Sequence, residues 1–312
     1  MHDPIRVGVV GVGYLGSIHA RIYARMPQVR LVGVADLDPA RARAVAAECG
    51  CEAFADGSEL LGRVDAVSVV VPTVAHLEVA RPFLERGVHM LLEKPIAATL
   101  AEAEAVIEAA ERGGAILQIG HLERYNAGVM ALAERIARPR FIEVHRIGEF
   151  VGRATDVDVV TDLMIHDIDI ILSLVGEEIA SVSAVGSPVI TGHVDIANAR
   201  LEFVNGTVAN VTASRVSTKR LRRIRVFSEH GYDALDFIDQ QIDSVRTGPA
   251  RAGGGWPEIR HERIEVAPRP PLDAELEDFL RVVREGGRPL VDGRAGLEAL
   301  RVAIEVRERI GS

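Results

Sequence analysis

Lysine is almost absent from this chain: Lys94 and Lys219 are the only two among 36 cationic side chains, the rest being arginine. Cationic charge is also short overall, with 45 acidic residues setting the formal net charge at −9. That balance excludes the broad basic footprint that a nucleic-acid or anionic-membrane partner needs. Cysteine is equally scarce. Cys49 and Cys51 lie too close in sequence for an easy disulfide, and two thiols alone cannot build a structural zinc site. No apolar run reaches the ~18 residues of a membrane-spanning helix. Met1-His2-Asp3-Pro4 has neither the basic nor the apolar stretch of a secretion signal. These absences predict a soluble protein of the reducing cytoplasm, with no membrane and no nucleic-acid partner.

What is present fits two domains, since 312 residues can bury two cores. Ile5–Val10 is a short apolar run, as expected of a strand covered on both faces. Strands at 31–35, 66–71, 88–92 and 115–119 then alternate with helices at 39–47, 75–86 and 99–111. Thr99 and Glu102 form a capping box for the last of these helices. Such alternation predicts an α/β fold with a doubly wound parallel sheet.

Between the first strand and its helix stands Gly11-Val-Gly13-Tyr14-Leu15-Gly16, and the next strand closes on Asp36. A lone GxGxxG is a weak signal, but this flanking context is the one a dinucleotide fingerprint requires. Gly11 permits the turn, Gly13 lets backbone approach a pyrophosphate, and Gly16 allows close helix–strand packing. Tyr14 and Leu15 open the helix whose N–H groups and dipole favour phosphate. Asp36 is placed to bind ribose hydroxyls and to repel a 2′-phosphate, favouring NAD, with Arg41 and Arg43 keeping NADP as the lesser alternative. Ligands of parallel sheets bind beyond the carboxyl ends of the strands. Pro72, Thr73 and His76 follow one strand there, and Glu93-Lys94-Pro95 follows the next. An ammonium at this edge, in an arginine-rich chain, predicts a role that a guanidinium fork cannot fill.

Beyond Gly120 the pattern changes. A helix over 127–136 leads to a strand at 140–147, a loop through Asp156, and a helical stretch over 157–175. Asp162 and His166 are one turn apart on that stretch, with Asp169 beyond. A carboxylate beside an imidazole orients the ring and stabilises its protonated form, as a general base requires. A water-facing polar stripe accounts for the same spacing equally well. No third and fourth ligand at recognisable spacing points to a metal. Strands follow at 179–187, 194–203, 207–214, 221–228 and 234–238, with Asn205-Gly206 as a hairpin turn. Residues 247–257, with Gly253-Gly-Gly255 and Trp256, read as a loop at a hairpin tip, and helices close the chain over 272–284 and 294–310.

The glycine fingerprint, Glu93-Lys94-Pro95 and Asp162-x-x-x-His166-x-x-Asp169, taken in order, resemble the Gfo/Idh/MocA family of sugar oxidoreductases. The resemblance spans essentially the whole chain. It implies a Rossmann domain over residues 1–120. A substrate-binding and oligomerisation domain follows over 121–312, with an open, mainly antiparallel sheet and a terminal helix able to pack back on the first domain. It also implies Lys94, Asp162 and His166 as catalytic residues, NAD as cofactor, and a homodimer or homotetramer. One departure is Val159-Val160-Thr161, where many members carry glycines.

Gly120-His121-Leu-Glu-Arg124-Tyr125-Asn126 and Ala213-Ser-Arg215-Val-Ser-Thr-Lys219 resemble the nucleotide-sugar branch of that family. This implies oxidation of a sugar hydroxyl, with UDP-GlcNAc oxidised at C3, and coupling to an aminotransferase. The implied substrate residues are His121, Arg124, Tyr125, Asn126, Arg153, Asp169, Arg215 and Lys219, each cationic one weighed against an ordinary surface role. Two alternatives stay open: a free-polyol dehydrogenase of the myo-inositol kind, and a dinucleotide-sensing regulator without catalysis.

Overall fold

A computed structural model describes residues 3–152, 157–229, 231–248 and 256–311. The chain forms two compact units, Met1–Leu122 with Pro270–Leu300, and Glu123–Arg269 with Arg301–Ser312.

The first unit begins with β1 (Ile5–Val10), α1 (Tyr14–Arg25), β2 (Val29–Ala35), α2 (Pro39–Cys49) and β3 (Glu52–Phe54). It continues with β4 (Ala66–Val69), α3 (His76–Leu84), β5 (His89–Glu93), α4 (Leu100–Gly113) and β6 (Leu117–Gly120). The strand order is β3-β2-β1-β4-β5-β6, and every pairing is parallel. The order reverses at β1, where β2 lies on one side and β4 on the other, which opens a crevice at the carboxyl ends of β1 and β4. Helix boundaries follow their local chemistry. Asp38 caps α2 by accepting from the Ala40 and Arg41 amides, and Gly50, in the left-handed region, ends it. Thr99 and Glu102 form the expected capping box of α4.

The same unit takes in α7 (Pro271–Glu285) and the first part of α8 (Gly293–Gly311). Leu276, Phe279 and Leu280 of α7 join Val7, Val9, Tyr23, Val34 and Leu91 in one buried cluster. Short β3 has no counterpart among the strands expected from sequence. Three residues with two side chains exposed give no periodicity to read.

The second unit holds α5 (Ala127–Arg135), β7 (Phe141–Ile147), α6 (Ile165–Val175), β8 (Ile179–Ser187), β9 (Ile196–Phe203) and β10 (Val208–Ser214). Then come β11 (Leu221–Ser228), β12 (Gly231–Asp236), β13 (Gln241–Thr247) and β14 (Ile259–Glu265). They form an eight-stranded sheet ordered β14-β13-β12-β11-β7-β10-β9-β8. Only β7 and β10 pair in parallel; the other pairings are antiparallel. Alternation sets its two faces. Ala197, Ala199, Leu201 and Phe203 of β9 are buried, whereas Ile196, Asn198 and Arg200 are exposed. α5 packs over β12 and β13, and α6 over β10. The opposite face carries the Arg225–Glu143 ion pair and a row of rings, Phe141, Phe227 and Tyr232, with centroids 5.7 and 5.2 Å apart.

Two corrections arise here. The helical stretch expected over 157–175 is a π-helical turn, Val160–Met164, running into α6. The sheet also gains β13 and β14 beyond the expected strands. In β14 nearly every side chain is exposed and polar, as suits an edge strand that must not recruit another chain, so no apolar alternation marks it. Within the loop expected over 247–257, residues 249–255 lie outside the described residues. Among the described residues no helix is long and apolar enough to cross a membrane.

Candidate active site

The glycine loop of the first unit is built by close approach. Gly11 has φ +85°, and a Cβ there would lie 2.4 Å from the Val70 carbonyl oxygen. A Cβ on Gly16 would lie 1.9 Å from the Gly11 carbonyl oxygen, so α1 starts in contact with the end of β1. Gly13, by contrast, has nothing within 4 Å of the space a Cβ would take. It caps α1 without a side-chain bond, and no acidic residue occupies the first turn. Tyr14, at the first helical position, is exposed, and Leu15 follows it. The N–H groups of this turn are therefore oriented for an anion rather than spent on a cap.

Asp36, just past β2, accepts from the Val12 amide at 2.9 Å and from the Asp38 amide at 2.9 Å. The Arg41 guanidinium stands 3.4 Å from Asp36 and 3.6 Å from Asp38, which ties it to two carboxylates. An open cradle at Gly13, free amides at α1 and a carboxylate fixed beside them fit the pyrophosphate and ribose of a dinucleotide.

Pro72 and Thr73 lead a short 3-10 turn after β4. His76 is buried, with its ring nitrogens 3.0 Å from the Val71 carbonyl and 3.3 Å from the Ile96 carbonyl, so it braces the two loops against each other. Burial lowers its pKa, and a neutral ring donates to one of these carbonyls at a time. Glu93 ends β5 and accepts from the Lys94 amide at 3.3 Å. Its carboxyl lies against Gly120 at the end of β6, where a Cβ would fall 2.9 Å from Oε1. Lys94 itself is half-buried at the carboxyl edge of the parallel sheet, and the Lys94–Pro95 peptide is cis. His121, one residue past β6, is buried.

In the second unit the π turn positions Asp162 immediately before α6. Asp158 anchors the turn by accepting from the Thr161 amide at 2.9 Å and from its hydroxyl at 3.1 Å. An i→i+5 turn inserts a residue, and such bulges recur at functional sites because they re-aim side chains. Asp162 and His166 remain about one turn apart along this segment, and both are half-buried.

His166 is flanked by two buried acids with fixed partners. Asp167 accepts from Arg146 Nε and Nη2, both at 2.8 Å, and Arg146 also donates to Glu123 at 2.9 Å. Burial pulls the Arg146 pKa down, but Asp167 and Glu123 outweigh it and hold the guanidinium charged. Asp169 pairs with Arg124 at 3.4 Å. The residue before α5, Asn126, caps that helix by accepting from the Gly128 amide, and Tyr125 is buried beside it. Arg215 is also buried. It pairs with Asp195 at 3.2 Å and donates to the carbonyls of Val157 and Val194. Lys219 is exposed, and Arg153 lies outside the described residues.

Arg146, Asp167 and Glu123 form a network that sequence patterning does not single out. One signal was available: Arg146 takes an inward position on β7, in phase with buried Ile142 and Val144. A cation there needs a buried carboxylate opposite it.

A parallel sheet in this order, with a glycine loop at its switch point and an anion-ready helix, defines a nucleotide-binding Rossmann protein. The model "Oxidoreductase family, NAD-binding Rossmann fold" matches residues 5–121, and "GFO/IDH/MocA C-terminal domain" matches residues 134–232. The chain belongs to the Gfo/Idh/MocA family of NAD-binding oxidoreductases. UDP-N-acetylglucosamine 3-dehydrogenase from Acidithiobacillus ferrooxidans is 41% identical over 304 residues, covering 97% of this chain and 96% of the relative. A solved structure of that enzyme aligns with TM-score 0.92 and 39% identity, over 99% of this chain and 98% of its own. An NAD(+)-linked scyllo-inositol 2-dehydrogenase from Bacillus subtilis is 32% identical, covering 93% of this chain and 90% of the relative.

Replacing Gly16 tests the cradle. Gly16→Ala must push α1 off the Gly11 carbonyl, so NAD affinity by isothermal titration falls at least about tenfold while far-ultraviolet dichroism is retained. Unchanged affinity contradicts the assignment of this loop.

Proposed function

We propose that this protein oxidises a secondary hydroxyl of a nucleotide sugar, UDP-GlcNAc at C3, using Lys94, Asp162 and His166. The observation that carries this reading is full-length similarity to a relative named for that reaction, together with both motifs in place. Bound NAD supplies the acceptor for the hydride that leaves the sugar carbon. His166 accepts the hydroxyl proton, and Asp162 holds the imidazole and stabilises the imidazolium that forms. The Lys94 ammonium donates to the same oxygen and offsets the negative charge that develops as the proton leaves. Asp167, clamped by Arg146, and Asp169, paired with Arg124, fix the helix from which His166 projects.

Among the substrate residues, exposed Lys219 remains a cation proposed for the diphosphate, with Arg153 as a second; Arg124 is proposed to reach it only from its pairing with Asp169. Arg215 is spent on Asp195 and backbone carbonyls, which supports a shaping role for it. His121, Tyr125, Asn126 and Asp169 complete the proposed set. A ketone at C3 is the acceptor an aminotransferase requires, so the product is proposed to pass to one in the cytoplasm. Full-length similarity to an inositol dehydrogenase supports a second reading, a free polyol as substrate.

One assay separates the readings. NADH formation at 340 nm is expected with UDP-GlcNAc and not with myo-inositol; turnover of inositol alone sinks the nucleotide-sugar reading. Lys94→Ala and His166→Ala are each expected to keep NAD binding and to lose roughly 10²–10⁴-fold in kcat. Near-normal turnover in either variant refutes its role. The charged and aromatic outer face of the second sheet supports a homodimer or homotetramer. Light scattering should give two or four times the 33.7 kDa protomer mass; a single protomer mass contradicts this.

A further inference from the structure

A polar layer runs through the otherwise apolar core of the first unit, on the face of the sheet covered by α1 and α7. Ser68 of β4, Leu91 of β5 and Gln118 of β6 stand in register across three parallel strands, and Glu93 and Gly120 pair two residues further on. α1 contributes His19 and Tyr23, both fully buried, and α7 contributes Glu275, also fully buried. The Tyr23 hydroxyl shares a hydrogen bond with the Ser68 hydroxyl at 2.8 Å, and His19 Nδ1 lies 3.3 Å from the same oxygen. On its other side, His19 Nε2 lies 3.4 Å from Glu93 Oε1. Gln118 donates to the backbone carbonyl of Glu275, not to its side chain.

Among the described residues neither carboxyl oxygen of Glu275 has a hydrogen-bond partner, and both are sealed from solvent. An ionised carboxylate in that position is strongly disfavoured, because among the described residues no cation acts on it. The polar or titratable groups that act on it are Tyr23 on α1, Glu93 on β5 and Gln118 on β6, with His19 and Ser68 bonded to these in turn. A negative charge on Glu93 acts on Glu275 through this layer and makes ionising Glu275 harder still. Glu93, unlike Glu275, has side-chain partners: it accepts from the Lys94 amide and lies 3.4 Å from the His19 ring.

We propose that Glu275 is held in the fold as a neutral carboxylic acid and acts as a positioning residue for the Glu93–Lys94 segment. Kept neutral, it leaves Glu93 as the single negative group of the layer, seated against Gly120 with its backbone leading directly into Lys94. Ionised, it repels Glu93 from that seat and disturbs the residue to which the ammonium is attached. Burial and the neighbouring Glu93 charge both raise the Glu275 pKa, in keeping with this state. The effect on Lys94 rests on the catalytic reading above; the protonation of Glu275 does not.

Linkage supplies a test that reads no activity. An unfolded glutamate releases its proton near pH ~4.3, whereas the folded chain retains it. Between that value and the raised folded value, the native state binds the extra proton, so wild-type stability falls as pH rises. The fall is at most about tenfold in the folding equilibrium constant per pH unit. Glu275→Gln keeps the shape and a donor but cannot ionise. The melting temperature of Glu275→Gln minus that of the wild type is therefore expected to grow as pH rises from 5, levelling off only where folded Glu275 itself ionises. A flat or shrinking difference overturns the neutral acid.

Turnover gives the second arm. Glu275→Gln should keep kcat at pH 7 within a few-fold and extend activity to higher pH than the wild type. A hundredfold loss at pH 7 with Gln means the charge is needed, and overturns the positioning role. Should UDP-GlcNAc prove not to be a substrate, the melting-temperature arm still decides the state of Glu275.

Discussion

The contact between α1 and the end of β1 is the constraint on which the first unit depends. Only hydrogen at Gly16 allows the helix to begin against the Gly11 carbonyl, and only a glycine takes the positive φ of Gly11 against Val70. That contact brings the first-turn amides of α1 to the crevice where the strand order reverses. It also seats His19 and Tyr23 over the sheet, next to Ser68 and Glu93. The same packing thus sets the cofactor cradle at the N-terminus of α1 and the polar layer with Glu93 against its buried face. Asp36 completes the arrangement by holding the loop through the Val12 amide.

The second unit solves a related problem by different means. Its proposed base lies on α6, just past a π turn, and neither that turn nor the helix fixes itself in space. Arg146 does so from the sheet, through two bonds to Asp167, while Arg124 holds Asp169. Buried ion pairs of this kind add little net stability against apolar packing, yet they fix one arrangement because a broken pair is costly. A general base must meet its proton within hydrogen-bond reach, so such fixation has a direct chemical purpose. Arginine suits these clamps because its planar fork matches a carboxylate. That leaves the scarce lysine for the place where a compact charge is wanted.

Much of this was legible in the sequence, and the reasons are specific. The parallel sheet showed itself because strands buried on both faces, such as Ile5–Val10, leave continuous apolar runs. The glycine loop was readable because Gly11 and Gly16 each answer a steric demand, while Gly13 leaves the space beside them open. Both motifs of the proposed site lie at ends of regular elements, where spacing carries meaning. The π turn escaped because Asp162 and His166 share a face in either helical form. β14 escaped because it is an exposed polar edge, and β3 because it is too short. Arg215 read as a substrate cation, but its guanidinium is engaged with Asp195 and two carbonyls, a pairing that sequence distance conceals. Glu275 was invisible for a similar reason. Within the helical pattern of 272–284 it looks like one more acid, and only the folded core shows that it faces inward.

The central claim is that hydride leaves the sugar carbon bearing the hydroxyl that His166 deprotonates. Its most direct measurement uses UDP-GlcNAc carrying deuterium at C3, with the reduced cofactor analysed by mass spectrometry and proton NMR. The prediction is that each reduced cofactor gains one deuterium at C4 of its nicotinamide. Reduced cofactor formed from this substrate without deuterium contradicts the account.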